Sequence, residues 1–215
     1  KQVGHLGVGR TAVEISAGHI HTCAILDDGS VSCWGYNANG QLGDGTYTNR
    51  NTPTKTTSLG LGRTATAISA GGLHTCAILD DGSVSCWGNG GNGQLGDGTY
   101  NTRNTPMSDS FPIDGINKNA IEITTGTEHS CVTLETGDVN CWGRNHQYQV
   151  YEDPTGNDAV SPVSSSFNFE DPIKITAGQH HTCSISHDGD INCWGWNGQG
   201  QIGAGTEQNS FTPAA

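Results

Sequence analysis

Four copies of one pattern occupy nearly the whole 215-residue chain, and this repetition limits the possible folds more than any single motif does. The units read "AVEISAGHIHTCAILDDGSVSCWGYNANGQLGDGT", "ATAISAGGLHTCAILDDGSVSCWGNGGNGQLGDGT", "AIEITTGTEHSCVTLETGDVNCWGRNHQYQV" and "PIKITAGQHHTCSISHDGDINCWGWNGQGQIGAGT". Their first cysteines, Cys23, Cys76, Cys131 and Cys183, set periods of 53, 55 and 52 residues. Periods of this size mark propeller blades or solenoids, whose units bury their faces against one another. Short alternating apolar segments split by Gly-rich turns make each unit a small antiparallel sheet. Glycine is the commonest residue at 32, and only 33% of residues are hydrophobic, which suits many short strands better than packed helices. The expected domain is a single one over 1–215, with repeats at about 1–53, 54–106, 107–161 and 162–215.

Each unit carries two cysteines separated by nine residues centred on one turn. If Leu26 pairs with Ser30 across Asp27-Asp28-Gly29, Gly29 takes the left-handed position of a bulged hairpin and Ile25 faces Val31. Cys23 then faces Cys33 at a non-hydrogen-bonded pair, where side chains stand closest and a cross-strand disulfide is reasonable. The same count pairs Cys76 with Cys86, Cys131 with Cys141, and Cys183 with Cys193. Eight cysteines allow 105 connectivities, but four identical local spacings select the pairing within each hairpin. A loop this short is worth roughly 2 to 3 kcal/mol per bridge, less any strain. Four disulfides imply an oxidising compartment: extracellular, secreted, cell-surface or periplasmic.

A zinc reading competes, because His21, His74, His129 and His181 each stand two residues before a cysteine and share its strand face. Four separate sites of one His and two Cys would be an odd use of metal, and disulfides explain the spacing unaided. No metal or other cofactor is therefore expected. Calcium on Asp44 or Asp97 of the Gly-Asp-Gly-Thr stretches lacks the ligand density of a calcium loop.

The segment "ISAGHIHTCAILDDGSVSCWGYNANGQLGDGT" resembles the repeat of the regulator of chromosome condensation family of β-propellers. All four copies carry the glycine before the histidine, the glycine of the turn and the Trp-Gly. The resemblance implies blades of four antiparallel strands and, in familiar members, seven blades in a ring. Members known for nuclear work lack the hairpin cysteines, so this chain looks like an extracellular branch. The family's exchange-factor activity on a small GTPase and its nucleosome contacts depend on loops and basic segments with no match here. The repeated Trp34, Trp87, Trp142 and Trp194 are expected to be packing residues.

The fold expected is all-β: a propeller of four blade-like repeats, forming either a complete small ring or an arc of a larger one. "LGVGRTA" at 6–12 matches "LGLGRTA" at 59–65, and neither end reads as a polar cap. A closed four-blade ring, an arc of a larger ring, and end-to-end association of copies all satisfy that pattern. The N-terminus lacks a Met and the apolar core of a signal peptide, as expected of a mature product or an excised piece.

The formal net charge is -12, with scattered basic residues, whereas a nucleic-acid surface needs clustered Lys and Arg. No apolar run approaches the ~18 residues that span a bilayer, so membrane insertion is not expected. Chemistry needs one unique constellation, and most eye-catching groups here recur in every unit. The exception is the third unit, where "YQVYEDPTGNDAVSPV" replaces the expected "GQLGDGT" and places Arg144, His146, Tyr148, Tyr151, Glu152 and Asp153 on an unshared loop. Tyr36, Tyr47 with Arg50, Tyr100 with Arg103, and Trp196 follow the Trp-Gly turns and are expected on one face of the disc. The functional expectation is a non-catalytic extracellular scaffold presenting blade loops to a protein or glycan. A structural subunit polymerising through its ends into a filament or ring is the alternative, and an enzyme with a site in the central cleft comes third.

Overall fold

The computed structural model describes residues 6–107, 119–151, 153, 155–164 and 172–214. Four antiparallel sheets follow one another along the chain. The first comprises β1 (Ala12–Ala17), β2 (His21–Leu26), β3 (Val31–Gly35) and β4 (Arg50–Lys55), and the second β5 (Ala65–Ala70), β6 (His74–Leu79) and β7 (Val84–Gly88). The third holds β8 (Ala120–Thr125), β9 (His129–Leu134), β10 (Val139–Gly143) and β11 (Ala159–Ser164); the fourth holds β12 (Pro172–Ala177), β13 (His181–Ser186), β14 (Ile191–Gly195) and β15 (Ser210–Ala214). Strands lie in sequence order within each sheet, as a meander requires. In the second blade a Gly88–Arg103 bridge stands where the other blades begin a fourth strand. No helix among the described residues is long and apolar enough to cross a membrane.

The hairpin forms as its turn dictates. Leu26 N–H donates to Ser30 O at 2.8 Å, Gly29 N–H donates to Leu26 O at 2.8 Å, and Gly29 adopts φ 72°. Ile25 then opposes Val31, and Cys23 opposes Cys33. The equivalent glycines 82, 137 and 189 take φ of 76°, 81° and 90°. All eight cysteines are paired as the spacing requires, each pair with Cα atoms 4.1 Å apart, the close approach of a non-hydrogen-bonded pair. The zinc alternative thus loses its sulfur ligands. One irregularity escapes the sequence pattern: each innermost strand is bulged at its second residue, between Ala12 and Glu14 and at the matching sites of the other blades. Bulging turns the apolar residues there outward, leaving Val13 66%, Ile121 49% and Ile173 49% exposed.

The blades stack face to face, so an interior blade is buried on both sides, and β6, β7, β9 and β10 are buried at every residue. One face of each blade presents the disulfide and the Ile/Val pair to the following blade, and the other presents Ile, Leu and Trp to the preceding one. A polar latch sits inside each of these apolar contacts. His21 Nε2 donates to Thr75 Oγ1 of the next blade at 2.9 Å, and that hydroxyl donates to Gln41 O at 2.9 Å. Trp87 Nε1 donates to the same carbonyl at 3.0 Å. The latch recurs as His74–Ser130–Gln94–Trp142 and as His129–Thr182–Gln149–Trp194. The repeated His-Thr/Ser-Cys triplet is therefore a blade-joining device: His reaches forward, the hydroxyl reaches back, and Cys closes the hairpin between them.

The stack does not close on itself. Ile15 is 64% exposed, whereas its equivalents Ile68, Ile123 and Ile175 are 5%, 8% and 3% exposed against a preceding blade. At the other end Ile191 is 59% exposed, whereas Val31, Val84 and Val139 are at most 1% exposed against a following blade. The closed four-blade ring is thereby set aside, and the described residues form an open arc. Trp34, expected to pack like the other three tryptophans, is only half-buried, because no blade among the described residues packs against that side of the first blade.

Candidate interaction face

Chain direction puts two loops of every blade on one side of the arc, termed the upper face: the short connection between the first and second strands, and the long one after the Trp-Gly. In each blade the residue after Trp-Gly hydrogen-bonds through its backbone N–H to the residue just before the latch histidine. Tyr36 donates to Ile20 O at 2.9 Å, Asn89 to Leu73 O at 2.9 Å, Arg144 to Glu128 O at 2.9 Å and Trp196 to His180 O at 2.8 Å. The glycine preceding the donor permits this closure: Gly35 has φ 112°, and a Cβ there would come within 2.6 Å of Ile20 O. Four side-chain pairs result, Ile20/Tyr36, Leu73/Asn89, Glu128/Arg144 and His180/Trp196, and no two are alike. Beside them the first-strand loops, with His19, Gly72, Thr127 and Gln179, line the mouth of a central depression.

The third and fourth blades supply the polar part of this face. Arg144 pairs with Glu128 at 2.5 Å, and the other oxygen of Glu128 accepts from Asn92 Nδ2 of the second blade at 3.0 Å. Arg144 Nε donates to His146 Nδ1 at 3.3 Å, and His146 Nε2 lies 3.5 Å from Asp158. His180 meets Trp196 edge to face with ring centroids 6.3 Å apart. Burial, together with the Arg144 charge and partly offset by that of Glu128, holds the His180 imidazole below its ordinary pKa. This cluster is a connected patch of charge and aromatic surface. Its members Glu128, His180, Asn92 and Asp158 were missed from the sequence, yet the non-repeating position before the latch histidine marks the first two.

Tyr36, Tyr47 and Tyr100 stand 37%, 54% and 57% exposed on the same side. Arg50 and Arg103 are committed elsewhere: Arg50 Nε binds Asp44 at 2.7 Å, and Arg103 Nε binds Asp97 at 2.6 Å. Those aspartates also accept from Thr46 and Thr99, so the loop fills the carboxylates that a calcium reading would need. The arginines hold the loops that present Tyr47 and Tyr100.

The loop of the third blade keeps more of the common frame than its sequence suggests. Asn145 accepts from Val150 N–H at 3.0 Å, as Asn37 does from Leu42 at 2.9 Å, and Asp153 caps Thr155 as Asp44 caps Thr46. Tyr148 occupies the site of Gly40, Gly93 and Gly200 and retains their left-handed backbone, at φ 63°. Tyr151 occupies the site of Gly43, whose φ is 67°, but does not adopt a positive φ. Its ring packs against the core, and its hydroxyl donates to Asp153 at 3.2 Å; burial and that bond raise its pKa. Glu152 lies outside the described residues. A non-glycine residue at Tyr148's φ costs about 1 to 2 kcal/mol, and a glycine there costs about 0.5 to 1 kcal/mol in chain entropy. Tyr148→Gly is accordingly expected to leave the urea stability within about 1 kcal/mol of the parent. A loss of 3 kcal/mol would show instead that the tyrosine side chain holds the loop together.

The model of the Regulator of chromosome condensation (RCC1) repeat matches residues 12–41, 65–94, 120–149 and 173–201, and a second model of that repeat matches 28–78 and 81–133. The chain belongs to the RCC1 repeat family. It is 30% identical over 204 residues to the Ultraviolet-B receptor UVR8 of Arabidopsis thaliana, covering 93% of this chain and 44% of the receptor. Its identity to the probable E3 ubiquitin-protein ligase HERC4 of Homo sapiens is 29%, over 94% of this chain and 19% of the ligase. Among solved structures it resembles human WBSCR16, with a TM-score of 0.84 at 25% identity, covering 94% of this chain and 52% of that one. Yeast RCC1 (Prp20), solved bound to Kap60, gives a TM-score of 0.83 at 22% identity over 99% of this chain and 50% of that one. The RCC1-repeat chain described here thus spans about half the length, or less, of these relatives.

Proposed function

We propose that this RCC1-repeat chain is a non-catalytic interaction scaffold that works in an oxidising, extracellular setting and presents its upper face to a protein partner. The observation that carries the reading is the division of labour among residues. Groups that recur in every unit are spent inside the fold, on hairpin, disulfide and latch, whereas those that differ from blade to blade gather on the upper face. Rigid aromatic and Arg side chains are the usual anchors of protein recognition, and Tyr36, Tyr47, Tyr100, Trp196 and Arg144 supply them, beside His146 and Tyr148. Yeast RCC1, which shares the fold, is itself crystallised with a protein, Kap60. The four disulfides support the extracellular part.

The test is capture from the secreted fraction of the source organism by immobilised protein, with Arg144→Glu/Trp196→Ala on the upper face and Leu61→Ser on the opposite face. A partner should fall at least tenfold with the first variant and be retained by the second. Equal capture by both, or eight free thiols in native material, would sink the proposal. Binding that survives protease treatment of the fraction but not glycosidase treatment would make the partner a glycan.

A further inference from the structure

Two loops of the upper face are built alike and hold out the same residue. In the first blade Asp44 accepts from the Thr46 N–H and hydroxyl and from Arg50 Nε; in the second, Asp97 accepts from the Thr99 N–H and hydroxyl and from Arg103 Nε. The next bond repeats as well, since Thr48 N–H donates to Thr46 Oγ1 and Asn101 N–H to Thr99 Oγ1, each at 3.2 Å. Tyr47 and Tyr100 stand between these bonds, 54% and 57% exposed. The two loops are also tied together across the blade boundary: Gly45 N–H donates to Asn104 O and Asn104 Nδ2 to Gly45 O, both at 2.9 Å. Hairpin, disulfide and latch residues recur because the fold uses them internally, whereas these two rings recur while facing solvent. The frame does not itself require an aromatic, because the third blade keeps the Asp153–Thr155 cap with Gly156 at this point and the fourth unit has Glu207.

The surroundings of the rings narrow the ligand chemistry. Each loop is electrically neutral, its aspartate matched by its arginine, in a chain of net charge -12. The exposed side chains beside the rings are Thr48 and Asn49 on one loop and Asn101 and Thr102 on the other, hydroxyls and amides without charge. A flat apolar ring flanked by uncharged donors and acceptors is complementary to a sugar, which has an apolar C–H face and a rim of hydroxyls. Two equal contacts one blade apart suit a ligand that itself repeats. We infer that the first and second blades bind a linear, uncharged polysaccharide of β-1,4-linked sugars, with Tyr47 against one sugar and Tyr100 against another farther along the same chain. The β-1,4 linkage keeps successive rings extended in a ribbon, so one chain reaches both loops, and joining two weak contacts multiplies their strength. This site shares the upper face with the proposed protein contact but not its anchors Arg144 and Trp196 on the third and fourth blades, so either reading can fail alone.

Native gel electrophoresis of the oxidised chain tests it, because an acidic protein migrates readily at neutral pH and slows in a gel whose polymer it binds. Gels are cast with hydroxyethyl cellulose, galactomannan or glycol chitin, and mobility is read against a gel without polymer. The parent is expected to be retarded by at least one of the three. In that gel Tyr47→Ala and Tyr100→Ala should each bind about tenfold more weakly, since each leaves a single contact where two were linked. The double variant should migrate as if no polymer were present. Both rings are exposed, so thermal unfolding of the variants should match the parent. Arg144→Glu/Trp196→Ala should be retarded as strongly as the parent, each measured against its own mobility without polymer. A parent that runs unretarded in all three gels, single tyrosine variants retarded as strongly as the parent, or retention lost only with Arg144→Glu/Trp196→Ala would overturn the inference.

Discussion

Lowering the pH from 7.5 to 5 is expected to remove several kcal/mol of folding stability, at a pH where most carboxylates are still ionised. His21, His74 and His129 are latch residues buried between blades. Burial, reinforced by neighbouring histidines, lowers their pKa from 6.5 to about 4, about 3 and about 3. The unfolded chain binds protons at these sites from about pH 6.5 downward, but the folded chain does not until the pH nears 4. The unfolded state therefore holds more protons across that window, and stability falls as pH falls. At pH 5 each histidine gives up about 2 kcal/mol, and three approach the whole stability of a small domain. Asp28 and Asp81, held below the usual carboxylate value by hydrogen bonds from Ser30 and Ser83, add their loss only at lower pH. Urea titrations at pH 7.5, 6 and 5 measure the slope, and His74→Gln should reduce it by about one proton. A flat profile between pH 7.5 and 5 would mean that the latches open without cost.

What could be read from the sequence was what lies close together along it. The hairpin, its left-handed glycine and its disulfide are settled within a dozen residues, so turn geometry alone placed Cys23 opposite Cys33. The latch spans 54 residues between His21 and Thr75 and uses a main-chain carbonyl, which no side-chain pattern announces. Its ingredients were visible as a repeat, but their partners were not. The upper face was half legible. The Tyr and Trp positions after Trp-Gly could be read as surface, whereas the assignment of Arg50 and Arg103 to internal ion pairs depended on where Asp44 and Asp97 turn. Loop chemistry misled in the third unit, where a different sequence preserves the Asn145 and Asp153 caps. The bulges at the innermost strands had no signature, because an extra residue in a short alternating run reads as an ordinary apolar neighbour.

The latch also makes the tryptophans unequal, although the sequence writes them alike. Trp142 is fully buried and donates to Gln94 O at 2.9 Å, so Trp142→Ala removes a large apolar contact and a hydrogen bond together. Truncating a buried Trp costs about 3 to 5 kcal/mol. Ser130 continues to donate to the same carbonyl at 3.0 Å, so Gln94 O is not orphaned and the loss is mainly packing. Trp34→Ala in the first blade, where the ring is only half-buried among the described residues, should cost well under half as much in dilute protein. Chemical unfolding of the two variants at nanomolar concentration gives the comparison. Equal losses in dilute protein would mean that the half-buried tryptophan is packed as tightly as the buried one, and the open leading edge would have to be abandoned.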